Sequence, residues 1–153
     1  MKLPLTSEPV ENIVAPITDF PWRLRILVID DKRPIVDMFK RGLEKYRQTV
    51  FTALSGEIGL QVFEANEVDL VICDLSMPGM SGWEVGRAIR DSCREPGVEK
   101  PRFISITGWG DQAVKTEKME ESGVDAVVEK PVLIPKLLGL IDELMKPRHD
   151  EGR

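Results

Sequence analysis

Val68–Gly82 reads VDLVICDLSMPGMSG, and the way this stretch divides decides the fold. Val68–Cys73 is nearly continuous in apolar residues, as expected of a strand buried on both faces rather than one with a wet side. It runs into a carboxylate, Asp74, and then into a loop punctuated by Pro78, Gly79 and Gly82. A helical period resumes at Gly82, with Val85, Ala88 and Ile89 on one side. Strand, polar loop and helix in that order form half of a βαβ unit. On these residues alone Asp74 can be an N-cap, a turn residue or a reactive group.

Working outward, strand-length apolar runs recur at Arg25–Ile29, Val50–Leu54, Arg102–Ile106 and Val124–Val128. Helical periods lie between them. Pro34–Tyr46 aligns Ile35, Met38, Phe39, Leu43 and Tyr46, with Pro34 suited to a first turn. Ser55 can cap a helix carrying Ile58, Leu60, Val62 and Phe63. Asp111 can cap a short helix to Ser122 that Gly123 stops, and this helix has few apolar positions, so it should be loosely anchored. Pro135–Met145 carries Leu137, Leu138, Leu140, Ile141 and Leu144. Five strands alternating with five helices predict an α/β domain: a five-stranded parallel sheet with helices on both faces, the (βα)5 flavodoxin-like arrangement. We place this domain at residues 23–146. Residues 1–22 hold four prolines beside Ile13, Val14, Ile17, Phe20 and Trp22, which predicts an irregular arm, packed on the domain or disordered. Residues 147–153 read as a polar tail.

The totals exclude several classes. The 153-residue chain carries 21 basic and 26 acidic residues, a net charge of -5, which argues against direct nucleic-acid binding. No run approaches the roughly 20 apolar residues of a membrane span, so no membrane is expected. Cys73 and Cys93 have neither metal-ligand nor disulfide-framework spacing, and reduced thiols in a cytoplasmic protein are the reading they favour.

In an open parallel sheet, ligands bind beyond the carboxyl ends of the strands. Those ends carry Asp30 and Asp31 on the first strand, Asp74 on the third, Thr107 on the fourth, and Lys130 just past the fifth. Singly, each has a bland explanation as a cap, a turn or a solvated charge. Jointly they make a site. Three close carboxylates repel unless a cation sits among them, and oxygen-only donors favour Mg²⁺, with Mn²⁺ as the alternative. Such an ion serves phosphate chemistry, and one carboxylate can be the nucleophile.

Here the sequence resembles the receiver domain of two-component response regulators. The resemblance rests on LRILVIDD (Leu24–Asp31), DLVICDLSMPGMSGWEV (Asp69–Val85), ISITG (Ile104–Gly108) and VVEKP (Val127–Pro131), in order and with the family's spacing. It implies that Asp74 is the phospho-acceptor, taking a phosphoryl group from a histidine kinase or phosphotransfer protein. It implies a metal site made by Asp30, Asp31, Asp74 and the backbone carbonyl of Ser76. Thr107 would be the switch hydroxyl, Lys130 the lysine that pairs with Asp74 and then with phosphate, and Lys130–Pro131 a cis peptide. The expected role is a signalling switch, not a turnover enzyme, acting on an unidentified downstream protein. A homodimer through the face of the fourth helix, fifth strand and fifth helix is one contact the resemblance allows, and the first helix is the expected kinase contact.

Two positions depart from the family pattern or stand out within it. Val127 occupies a place where Tyr or Phe is common, so a ring cannot follow the switch hydroxyl inward. Trp109, between Gly108 and Gly110, is either an exposed partner contact or a cover over the site. A degenerate receiver serving as an interaction module is the first alternative. A haloacid-dehalogenase-like phosphatase is the second, disfavoured because the nucleophile motif reads Asp74-Leu75-Ser76 and no cap domain is present. Eight residues remain after Met145, which fits either a stand-alone receiver or a piece of a longer protein.

Overall fold

The computed structural model describes residues 20–108 and 116–151. In chain order the elements are β1 (Arg25–Ile29), α1 (Arg33–Glu44), β2 (Thr49–Ala53), α2 (Gly56–Ala65), β3 (Leu70–Asp74), α3 (Gly82–Ser92), β4 (Arg102–Thr107), α4 (Thr116–Glu121), β5 (Ala126–Glu129) and α5 (Ile134–Glu151). The five strands form one parallel sheet in the order β2-β1-β3-β4-β5, as the strand–helix alternation predicted. The chain moves from β1 outward to β2, then returns to place β3 on the other side of β1. The order therefore reverses between β1 and β3, which is where a crevice opens at the carboxyl edge.

Side chains alternate across the strands and divide the core in two. Ile26, Val28, Leu70, Ile72, Ile104 and Ile106 pack beneath α1 and α5 with Phe39, Leu43, Leu138 and Ile141. Leu27, Ile29, Val71, Cys73 and Phe103 pack on the other face with Val85, Ile89 and Met119. All five residues of β3 are buried, which is why its sequence lacks a polar alternation.

Local chemistry sets the helix starts. Ser55 accepts the Ile58 amide and begins α2, and Ser81 forms a reciprocal capping box with Glu84 at the start of α3. Lys32 precedes α1 without a side-chain cap, and Pro34 supplies a preset φ in the first turn.

The ends of the domain differ in how they are held. Phe20 is 4% exposed within the α1–α5 core, and Trp22 Nε1 donates to Asp142 Oδ1 at 2.8 Å, so the described end of the irregular arm packs on the domain, one of the two states its sequence allowed. Gln48 ties this entry down. Its Oε1 accepts the Leu24 amide at 2.7 Å, and its Nε2 donates to the Trp22 carbonyl at 2.8 Å. The tail expected from residue 147 continues α5 as far as Glu151, because a polar segment can prolong a helix already anchored by its apolar face. The helix expected over Asp111–Ser122 is helical over Thr116–Glu121, and residues 111–115 lie outside the described residues.

Candidate functional site

Register brings the predicted residues to one edge. Ile29 pairs with Cys73, so the residues that follow them, Asp30 and Asp74, emerge side by side at the β1/β3 crevice. Asp74 in turn pairs with Ile106, which puts Thr107 at the neighbouring strand end. Thr107 pairs with Glu129, and its carbonyl accepts the Lys130 amide at 2.9 Å, so Lys130 leaves β5 toward the same crevice.

Asp30, Asp31 and Asp74 each offer a carboxylate oxygen within 4.8 Å of the others. Asp30 is 2% exposed and Asp74 3%, whereas Asp31 lies nearer solvent. Lys130 Nζ sits between the two buried acids, 3.8 Å from Asp30 Oδ2 and 3.6 Å from Asp74 Oδ1. The sequence reading paired this lysine with Asp74, and the structure adds Asp30. Burial pushes the Asp30 carboxyl above its ordinary value. The Lys32 amide, which donates to Oδ1 at 2.9 Å, pulls it back, and the neighbouring Asp74 charge adds to the rise. One lysine facing two buried carboxylates leaves excess negative charge. Three oxygen donors without a His or Cys suit a small hard cation of the Mg²⁺ class, so the residues fit the metal that the sequence implied.

Asp74 is held in place by the loop it opens. The Ser76 amide donates to Asp74 Oδ1 at 3.4 Å, and the Leu75 amide donates to the Ile106 carbonyl at 2.8 Å. Gly79 turns the loop with φ +77°. Gly82 then lets α3 start directly against the strand end. A Cβ there would sit 2.7 Å from the Asp74 carbonyl oxygen and 2.9 Å from Leu75 Cα. In the sequence Gly82 reads only as a loop glycine, and the close approach became visible with the fold.

Thr107 is 4% exposed, and its Oγ1 donates to the Gly108 carbonyl at 3.3 Å. The Lys130–Pro131 peptide is cis. Val127 is partly buried against the α2–α3 side of the core and pairs in register with Ser105 on β4, whose hydroxyl is buried without a partner. Trp109 lies outside the described residues. Cys73 points away from the crevice into the core, where burial and the Asp74 and Asp30 charges push its thiol far above the usual range. It is a structural thiol. Among the described residues no helix is long and apolar enough to cross a membrane.

Comparison with known proteins finds the same fold. The sequence model of the response regulator receiver domain matches residues 26–142. The chain is 33% identical over 122 residues to the virulence sensor protein BvgS of Bordetella pertussis, covering 78% of this chain and 10% of that protein. It is 29% identical over 130 residues to the aerobic respiration control sensor protein ArcB of Escherichia coli, covering 84% of this chain and 16% of ArcB. The chain thus spans a small part of these relatives. A crystal structure of a response regulator receiver domain protein from Clostridium thermocellum superposes with a TM-score of 0.72 at 32% identity, covering 82% of this chain and 97% of that one. With a family match running from β1 into α5 and the same sheet beneath it, the chain belongs to the response regulator receiver domains of two-component systems.

Proposed function

We propose that the protein is a phosphorylation-dependent switch in which Asp74 is the acceptor. The observation that carries this reading is the meeting of buried Asp74 with Asp30, Asp31 and Lys130 at the one crevice the strand order creates. An Asp74 carboxylate oxygen forms a bond to phosphorus as the phosphorus–nitrogen bond of a donor phosphohistidine breaks, and the imidazole leaves with the electron pair. Asp30, Asp31, Asp74 and the Ser76 carbonyl would hold Mg²⁺, or Mn²⁺ in its place. Bound there, the ion supplies charge that offsets the phosphoryl oxygens.

The protein's own groups do the rest. Lys130 exchanges its partnership with the Asp74 carboxylate for one with a phosphoryl oxygen, and the Thr107 hydroxyl donates to another. Burial of Asp74 keeps bulk water from the acyl phosphate. The protein catalyses only its own phosphorylation and dephosphorylation, and changed contacts with a downstream protein carry the signal. Two relatives are named as sensor proteins, which supports a histidine kinase or phosphotransfer protein as donor.

The test is incubation with Mg²⁺ and acetyl phosphate, read by intact mass. Wild type is expected to gain one phosphoryl group that survives acid and is lost in base, and Asp74→Asn to gain none. A wild type that stays unlabelled would leave the chain as an interaction module only. Equal labelling of Asp74→Asn would place the acceptor elsewhere.

A further inference from the structure

Charge is segregated along this chain. Thr49–Gly86 holds six Asp/Glu and no Lys or Arg, whereas Arg23–Arg47 holds eight Lys/Arg and four Asp/Glu. Of the six acids, Asp74 belongs to the crevice and Asp69 accepts the Arg25 amide at 2.8 Å. The other four, Glu57, Glu64, Glu67 and Glu84, are exposed. At the lower end of this region Arg25 lies over the Phe51 ring at 5.0 Å and donates to the Glu67 carbonyl.

Helix α2 sits in the middle of the acidic stretch and has an apolar stripe that the core does not use. Its buried face is Gly56 and Gly59, with Leu60, Val62 and Phe63 partly buried beside them. Leu54 (36% exposed), in the bend before the helix, and Ile58 (47%) remain outside, as do Gln61 and Ala65. Ile58, Gln61 and Ala65, three and four residues apart, share one side of the helix, and Leu54 stands just before its extended Ser55 cap. The helix cannot roll to bury them. A Cβ on Gly59 would meet the Ile29 side chain, and one on Gly56 would lie 2.8 Å from Val85 Cγ2 and 2.9 Å from Met80 Cβ. Close glycine packing therefore locks the stripe outward, and Glu57 and Glu64 flank it.

We propose that the Leu54–Ile58–Gln61–Ala65 stripe docks a basic amphipathic helix of a partner protein. The partner's aliphatic face would cover Leu54 and Ile58, and its Lys or Arg flank would meet Glu57 and Glu64. Desolvation of the two aliphatic side chains supplies the affinity, and the charges supply orientation and on-rate. The stripe ends beside the loop that follows Asp74. Met80 packs on Gly56, and Glu57 Oε2 is 3.6 Å from where a Gly79 Cβ would stand. Neither the docking nor its test depends on Asp74 chemistry, so the inference stands apart from the phosphorylation reading.

The test uses the full ¹⁵N-labelled chain, with a synthetic Leu/Lys amphipathic helical peptide and its Leu/Glu counterpart as probes. Amide shifts with the Leu/Lys peptide are expected at Leu54–Ala65 and at Gly79–Met80, with affinity falling as salt rises. Ile58→Ser, at an exposed position, should weaken binding about tenfold, and Glu57→Gln with Glu64→Gln should weaken it and flatten the salt dependence. Equal binding of both peptides, shifts centred elsewhere, or unchanged affinity in Ile58→Ser would overturn the proposal. So would stripe shifts that track protein concentration without peptide, which would make the occupant a second copy.

Discussion

Asp30→Asn is expected to stabilise the metal-free protein, although it removes a residue of the proposed site. Two unit charges 4.8 Å apart repel by about 3.5 kcal/mol at an effective dielectric of about 20. Asp30 faces two such neighbours, Asp31 and Asp74. Its pairing with Lys130 at 3.8 Å returns about 4 kcal/mol on the same scale. Asp31 and Lys130 are both partly exposed, and solvent screening weakens their shares, leaving a net cost on the order of 2 kcal/mol. Asparagine keeps the oxygen that accepts the Lys32 amide, and it leaves Lys130 its Asp74 partner at 3.6 Å. The variant should therefore unfold about 5 °C higher in chelator at neutral pH.

The pH dependence follows from the raised Asp30 carboxyl. Its folded form binds a proton more readily than the unfolded chain, whose ordinary value is 3.8. The charged group therefore costs stability above the folded pKa, and that cost fades as pH falls through it. The gap between Asp30→Asn and wild type should be widest near neutrality and close on acidification. Mg²⁺ at about tenfold its Kd should add about 1.4 kcal/mol to wild type and markedly less to the variant. Thermal unfolding followed by circular dichroism, in chelator and in Mg²⁺ across pH, reads all three effects. A variant no more stable than wild type in chelator at neutral pH would refute the charge argument.

Other expectations rest on single contacts. Gly82→Ala should cost on the order of 2 kcal/mol in urea unfolding, because its methyl group meets the Asp74 carbonyl and Leu75 backbone rather than a side chain that can swing away. Gln48→Ala should cost about 2 kcal/mol by the same measurement, leaving the Leu24 amide and Trp22 carbonyl without their side-chain partner, with faster amide exchange at Leu24. Ser81→Ala should cost about 1 kcal/mol of stability at neutral pH, from loss of the α3 cap. The two Ser81 hydrogen bonds hold the Glu84 carboxyl below its ordinary 4.5. The part of that cap owed to the Glu84 carboxylate is present above this value and should fade as pH falls through the lowered folded pKa.

Much of this protein was legible before folding. Continuous apolar strands such as Leu70–Cys73, punctuated by polar ends and separated by helical periods, admit few arrangements other than a covered parallel sheet. The same logic listed Asp30, Asp31, Asp74, Thr107 and Lys130 together, because each follows an apolar run, and in a parallel sheet all such ends lie on one edge. Boundaries were less legible. Phe20 and Trp22 looked like part of a proline-broken arm, and only the contact with Asp142 and the Gln48 amide shows why they pack.

What the sequence determined by itself is what depends on local order: which segments are strands, which are helices, and which polar residues follow the strands. Tertiary structure alone decided adjacency. The reversal between β1 and β3 makes Asp30 the neighbour of Asp74 and sets Lys130 between them, and no periodicity encodes which strand lies beside which. It also decided which apolar residues stay outside. Ile58 has the composition of core, and the glycine contacts beneath α2 turn it to solvent, because close packing leaves the helix one rotation and one exposed face.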